Sequence, residues 1–344
     1  MAAINLARIK EARLRKGLTL EKAAGGMDIS LSWLSEIERG RKISTKVLQR
    51  LATNYGLPMS YFLSRQNEQS IEILPQGRKQ RISETIQRRL LLIIRDNYEL
   101  IEKLEKDTKT EWQSEALSVW SGNEQTAIKV RSRFCPDAIN LDSVTEILER
   151  SGILVIEIRA ESQENGKRNI ADGEAGREVE PEFESLVLKI GERYVVGIAD
   201  DLESIAKRRA LAEGLGIVLL HNSAELFSQD KVSSFARYLL LPVELLKKYF
   251  PPDGFLTMNM LELMRLFFGL SRRSILEHLR EAGMIQESKV RYWVGKLNKA
   301  ETLPAVPYTC HEQSRYYWRL LSRAALEHNI SYARTEEILS LFTN

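Results

Sequence analysis

Cysteine is almost missing from this chain: Cys135 and Cys310, far apart, are the only two. A disulfide framework is thereby excluded, as is any zinc or iron–sulfur site built from several thiolates. Histidine is nearly as scarce. His221, His278, His311 and His328 are all there are, and no two lie four apart, so no helix can offer a pair of imidazoles one turn apart to a metal. No apolar run approaches the roughly 18 residues of a membrane-crossing helix. The opening MAAINLARIK has no signal-peptide core, and the richest stretch, Leu239–Leu246, is interrupted by Pro242 and Glu244. The chain reads as cytoplasmic, with no membrane partner. Also missing are a glycine-rich phosphate loop, a dinucleotide fingerprint, a Gly-x-Ser-x-Gly elbow and a catalytic-cysteine signature. No cofactor is expected.

What is present suits two or three globular domains: 344 residues, 43% hydrophobic and 28% charged. The net charge of +3 hides an asymmetry. Residues 1–63 hold eleven Lys/Arg against five Asp/Glu, so a basic head precedes a slightly acidic body, as expected of a chain whose one end meets a polyanion.

The head reads as a run of short helices. Leu6, Ile9, Ala12 and Leu14 give the first an apolar stripe, and Gly17 stops it. Thr19 suits the N-cap of a second helix, which Gly25-Gly26 ends. Ser30 suits the cap of a third, Leu31 to Arg39, closed by Gly40, with Arg41 and Lys42 in the turn. Val47, Leu48 and Leu51 mark a fourth. Two short helices joined by a tight turn, the second small and polar on one face, make a helix-turn-helix. The residues RIKEARLRKGLTLEKAAGGMDISLSWLSEIERGRK and LQRLATNYGLPMSYFL resemble the Cro and lambda-repressor type, the XRE family.

That resemblance implies a five-helix domain over 1–63 that binds double-stranded DNA as a homodimer, its third helix in the major groove. Carried over by position, Ser30, Leu31, Ser32, Ser35 and Glu36 face base edges or nearby phosphates, while Arg39, Arg41 and Lys42 hold the backbone; Trp33 is half core, half surface. Two departures stand out. Leu20 and Leu31 occupy positions where the family often has glutamine, leaving Leu31 only a thymine methyl to touch. Glu36 is acidic where a basic or amide residue is common, and accepts only from cytosine N4. The rival reading of the head is a helix-turn-helix retained for protein contacts.

Residues 64–122 read as a polar hinge followed by one long helix from Ser83 to about Lys106. Ile86, Leu90, Ile93, Asn97, Leu100 and Leu104 alternate at spacings of 4 and 3, which suits either a two-stranded coil with a buried asparagine or a helix packed on its own domain.

The stretch 123–285 looks α+β. Helices over Ala127–Arg133 and Leu141–Ser151, a buried strand over 152–158, a charged loop, two strands over 185–188 and 194–198, and a helix from about Leu202 to His221 capped by Asp200-Asp201 follow in order. Three segments, KRRALAEGLGIVLLH, SSFARYLLLP and FFGLSRRSILEHLREAGMI, resemble the ImmA/IrrE family of zinc metallopeptidases. In that family the first of these helices carries His-Glu-x-x-His and the next a glutamate ligand. Here the corresponding positions are Glu213, Gly214, Ile217 and Lys231, which offer no base, no second imidazole, and an ammonium beside the metal. The resemblance implies a pseudo-peptidase without hydrolysis or bound metal. A remodelled site would have to draw on Glu213, His221 and Glu225 along one helical face.

Met258–Phe268 and Arg272–Ala282 form a second helix-turn-helix shape, with structural packing the expected role and a second DNA contact the alternative. The C-terminal region, 286–344, is helical, with Trp318, Leu320, Leu321, Ala325 and Ile338 expected inside. The fold expected is mainly α with a small α+β domain: five-helix lambda-repressor-like head, long linker helix, zincin-like body, helical C-terminus. The function expected is a sequence-specific transcription regulator, whose body senses a small-molecule or protein effector, dimerises or docks a partner. A zinc peptidase cleaving a repressor, and an antitoxin-like or mobile-element defence component, are the alternatives.

Overall fold

A computed structural model describes residues 4–63, 69–76, 82–112, 120–136, 139–159, 183–223, 225–250, 255–298 and 312–343. The chain begins with four helices, α1 (Ala7–Arg15), α2 (Leu20–Gly26), α3 (Leu31–Glu38) and α4 (Thr45–Tyr55), and a 3₁₀ turn over Met59–Leu63. Strand β1 (Ile71–Ile73) and the long α5 (Glu84–Asp107) follow. Next come α6 (Asn123–Phe134), α7 (Val144–Arg150), β2 (Ile153–Ile158), β3 (Ser185–Ile190) and β4 (Arg193–Ala199). The rest is helical: α8 (Ser204–His221), α9 (Gln229–Leu240), α10 (Val243–Tyr249), α11 (Met258–Phe268), α12 (Arg272–Glu281), α13 (Glu287–Leu297), α14 (Tyr316–Leu326) and α15 (Tyr332–Thr343).

These elements sort into two compact units. One gathers α1 to α5 with α14 and α15; the other holds the four strands and α6 to α13.

In the first unit, one apolar face from each of α1 to α4 meets in a core of Ile9, Ala12, Leu34, Ile37, Leu48, Leu51, Tyr55 and Phe62. Burying such side chains contributes about 1.5–3 kcal/mol each before chain entropy is charged against it. Charge joins α1 to α5. Arg8 is buried between Asp96 (2.7 Å) and Glu99 (2.5 Å), and Arg95 reaches back to Glu11 at 2.7 Å. Burial works against the Arg8 charge, but Asp96 and Glu99 outweigh it and hold the guanidinium protonated. The chain's last helices belong here too. Tyr316 of α14 donates to Glu105 at 2.8 Å, and Arg334 of α15 donates to Ser60 at 2.8 Å.

Most of the heptad-like stripe of α5 is covered inside its own unit: Leu90, Asn97, Leu100 and Leu104 are buried, Ile86 and Ile93 half-buried, and α1 and α14 both pack on α5. Of the C-terminal residues expected inside, Trp318 is instead 47% exposed and Ala325 half-buried, because the inward stripe of α14 runs through Tyr317, Leu320, Leu321 and Ala324.

The second unit is built on a mixed sheet of order β1-β3-β4-β2. β3 and β4 form an antiparallel hairpin (Val187 opposite Val196), β2 runs parallel to β4, and β1 pairs antiparallel with β3. The hinge expected before α5 thus contains a strand, its Ile71 and Ile73 too few to give a strand pattern. Helix α8 is buried on almost every side, from Ala210 to Leu220. Two glycines permit that. A Cβ on Gly216 would meet the Phe235 ring at 2.8 Å, and one on Gly214 would meet Val196 at 3.2 Å. Asp200 and Asp201 do not cap α8: the cap position is Glu203, whose side chain makes no capping bond, and the two aspartates stand in the preceding turn.

One ion pair is wholly interior. Arg208 meets Glu312 at 2.8 Å with both side chains shut off from solvent. Glu312 also accepts from the Val144 and Thr145 amides (2.9 and 2.8 Å), placing a carboxylate on the positive end of α7. Residues 160–182, Cys310 and His311 lie outside the described residues. Among the described residues no helix is long and apolar enough to cross a membrane.

Candidate nucleic-acid interface

Helices α2 and α3 are set by local chemistry at both ends. The Thr19 hydroxyl accepts from the Lys22 amide and opens α2; the Ser30 hydroxyl accepts from the Trp33 amide at 3.2 Å and opens α3. Between them Asp28 takes a left-handed backbone (φ 52°), which aspartate tolerates better than most residues. The corner is then tied to its neighbours. Arg13 forks onto Glu38 (2.6 and 2.8 Å), fixing α3 to α1. Arg50 and Asn54 of α4 donate to the Met27 and Gly26 carbonyls at 2.8 and 3.1 Å.

With Leu34 and Ile37 inward, the other side of α3 is left to solvent. Leu31 is 49% exposed, Ser32 and Glu36 are exposed, and Trp33 and Ser35 are half-buried. Ser30 is exposed at the cap. Beyond α3, Arg39, Arg41, Lys42 and Lys46 are all exposed, with no acidic residue among 39–46. By contrast Arg8, Arg13 and Arg15 are buried and spent on Asp96, Glu99 and Glu38. The outward charge of the head is thus concentrated where α3 ends and α4 begins. Such a strip attracts phosphates, and the face beside it is small enough to approach base edges.

Two relations in this corner were not legible in spacing. Glu36 is in an ion pair with Arg41, across the turn that closes α3. The Arg13–Glu38 fork joins residues 25 apart.

The four positions expected as a lost zinc site sit in the second unit. Glu213 accepts from Arg209 (3.1 Å) and from the Ser233 hydroxyl (2.9 Å), at the edge of a cleft of about 430 Å³ that Arg237, Glu277 and Glu281 also line. Gly214 faces Val196 and Val187 of the sheet, and Ile217 is buried in the core. Lys231 pairs with Glu225 at 2.6 Å. Glu225 lies beyond the end of α8, so Glu213, His221 and Glu225 do not share a helical face; His221 instead meets the Tyr194 hydroxyl at 3.0 Å. Among the described residues no three His, Cys, Asp or Glu side chains are grouped to hold an ion.

Comparison with known proteins bears on the first of these two places. The helix-turn-helix family matches residues 9–62, from the first turn of α1 to the 3₁₀ turn. Residues 9–62 are a helix-turn-helix domain. The chain is also 39% identical over 74 residues to "HTH-type transcriptional regulator DdrOP3" of Deinococcus deserti, an alignment that takes in 20% of this chain and 57% of that relative. The chain thus spans little more than half the length of the curated relative it matches. No solved structure matches the chain. The helix-turn-helix assignment rests on residues in order, and the corner built by α2 and α3 is the one it covers.

Proposed function

We propose that this chain is a DNA-binding transcription regulator of the XRE type. The observation that carries the reading is the outward face of α3, with Leu31, Ser32 and Glu36 exposed and the basic strip of residues 39–46 beside it, on a helix-turn-helix domain. In this reading α3 enters the major groove, Ser30, Leu31, Ser32, Ser35 and Glu36 meet base edges and nearby phosphates, and Arg39 and Lys42 hold the backbone. A homodimer would place two such faces on half-sites one helical turn apart.

The remainder is proposed as a non-hydrolytic module that carries a signal from a small molecule or protein to the head. Its resemblance to the ImmA/IrrE peptidases supports this, and the donor set does not fit their zinc. Gly214 has neither a base nor room for one against Val196, Ile217 is a core residue without a lone pair, and the Lys231 ammonium is engaged by Glu225.

The test is a mobility shift of the full chain on the DNA upstream of its own reading frame, repeated at 50 and 200 mM salt. A retarded band that weakens steeply with salt is expected. Retention of no duplex at either salt concentration would overturn the reading.

A further inference from the structure

Arg41 is a turn residue by sequence, but its side chain lies against α3. The main chain folds back at this point. Gly40 has φ 112°, its amide bonds the Ile37 carbonyl at 3.0 Å, and the Arg41 amide bonds the Glu36 carbonyl at 3.0 Å. This pair of bonds is the Schellman closure, which returns the chain alongside the last turn of the helix. Arg41 Nη1 then meets Glu36 Oε2. Glu36 stands one helical turn beyond Ser32 on the outward face, opposite Leu34 and Ile37. The guanidinium is thereby brought onto the face of α3 that would look into a groove, not out to its flank.

Fold stability does not account for the pair. The two side chains are 53% and 48% exposed, and ion pairs in such surroundings contribute little. Phosphate gripping does not account for it either. A carboxylate held against the cation cancels the charge that a phosphate would attract, and Arg39 and Lys42 already supply that charge. What a carboxylate on Nη1 does supply is a bias in direction, because it draws that corner of the guanidinium to α3 and leaves the Nη2 and Nε groups to donate elsewhere.

We propose that Glu36 and Arg41 act as one guanine-reading unit. Arg41 donates two parallel hydrogen bonds to O6 and N7 of a guanine in the major groove, and Glu36 is the positioning residue that aims it. The proposal rests on the DNA-binding reading above and revises the backbone role that position alone gave Arg41.

The test enriches duplexes from a random library with the full-length chain, then compares the enriched site with a copy carrying 7-deazaguanine, which lacks the N7 acceptor, at each guanine in turn. One guanine is expected at which the replacement costs the wild type roughly 5- to 100-fold. Arg41→Ala should bind both duplexes equally with an unchanged salt slope, and Glu36→Gln should shrink the discrimination without abolishing binding; circular dichroism checks that each variant is folded. Three results overturn the unit: no guanine meeting that description, Arg41→Ala weakening all duplexes alike while the salt slope falls by about one, or Glu36→Gln discriminating as well as wild type. Enrichment of no duplex at all would fell the DNA-binding reading itself, a failure the wild type alone reveals.

Discussion

Among the described residues, two helix-turn-helix corners are built almost alike. In the head, Ser30 caps α3 after the turn from α2. In the second unit, Gly269 turns α11 in the left-handed region (φ 66°) and Ser271 caps α12. Each second helix is fastened to a neighbour by an arginine–glutamate contact, Arg13 to Glu38 in one and Arg237 to Glu281 in the other. The outward faces differ. On α3 that face carries the exposed Leu31 and Ser32 and the exposed pair of Glu36 with Arg41. On α12, Arg272 is held by Glu262 at 2.5 Å and the exposed Arg273 pairs with Glu277, while on the inner side His278 is buried against the Leu241 carbonyl at 2.6 Å. On the reading proposed above, the same local shape serves recognition once and packing once: α3 carries the exposed Leu31 with the basic residues 39–46 beside it, where α12 carries arginines held by Glu262 and Glu277.

The largest effects should come from the two fastenings. Arg13→Ala leaves the Glu38 carboxylate nearly buried without its partner, a loss of about 3 kcal/mol, and Arg237→Ala about 2 kcal/mol because Glu281 is more open. Urea unfolding checks both. Hydrogen exchange should localise the first loss to α3 and the second to α12, with DNA affinity falling only for the first. Equal loss of DNA affinity in both variants would break the distinction between the corners.

Acid separates them next. Burial alone would raise Glu281, but the nearby His278 and Arg237 outweigh it and bring it down to about 2. A carboxyl lowered by folding contributes stability that is complete above the ordinary glutamate range and fades as pH falls through that range toward about 2. With solvent screening allowed for, about 2 kcal/mol is at stake. Protection of the α12 amides should therefore decline between about pH 4.5 and 2 in wild type, and the decline should vanish in Glu281→Gln. Capping offers a smaller, symmetrical test. Ser30→Ala and Ser271→Ala should each cost about 1 kcal/mol in thermal unfolding, with the first alone changing DNA affinity.

How far the sequence announced all this differs between the two units. Short-range signals in the head were explicit: Thr19 and Ser30 cap, and Gly17, Gly40 and Gly56 turn, so helix order followed from spacing, whereas the outward residues of α3 were expected from the resemblance alone. The support of α1 by Asp96 and Glu99 did not, because it joins residues about ninety apart and nothing local marks it. The stripe on α5 was visible but not its partner, since a heptad looks the same whether α1 and α14 or a second copy covers it. In the second unit the strands were legible as apolar runs, whereas β1 has only Ile71 and Ile73. That Gly214 and Ile217 offer a metal no ligand was legible in their chemistry. That Gly214 lies against Val196 needed the fold, as did the engagement of Glu213 by Ser233.

The smallest expected effect is the sharpest probe of the open face. Leu31 opens α3 with half its surface in water, so removing its side chain costs the fold almost nothing. No polar atom of Leu31 can bond a base edge, and the only base-specific feature it can cover is the thymine 5-methyl. Leu31→Ala should therefore melt within about 0.5 kcal/mol of wild type while losing severalfold in affinity for an enriched duplex. Replacing one thymine by deoxyuridine, which removes only that methyl, should reproduce the loss in wild type and add nothing in Leu31→Ala. A variant that still distinguishes thymine from deoxyuridine would remove Leu31 from the reading face, leaving Ser32, Glu36 and Arg41 to carry it, and would narrow the difference between α3 and α12 to polar groups alone.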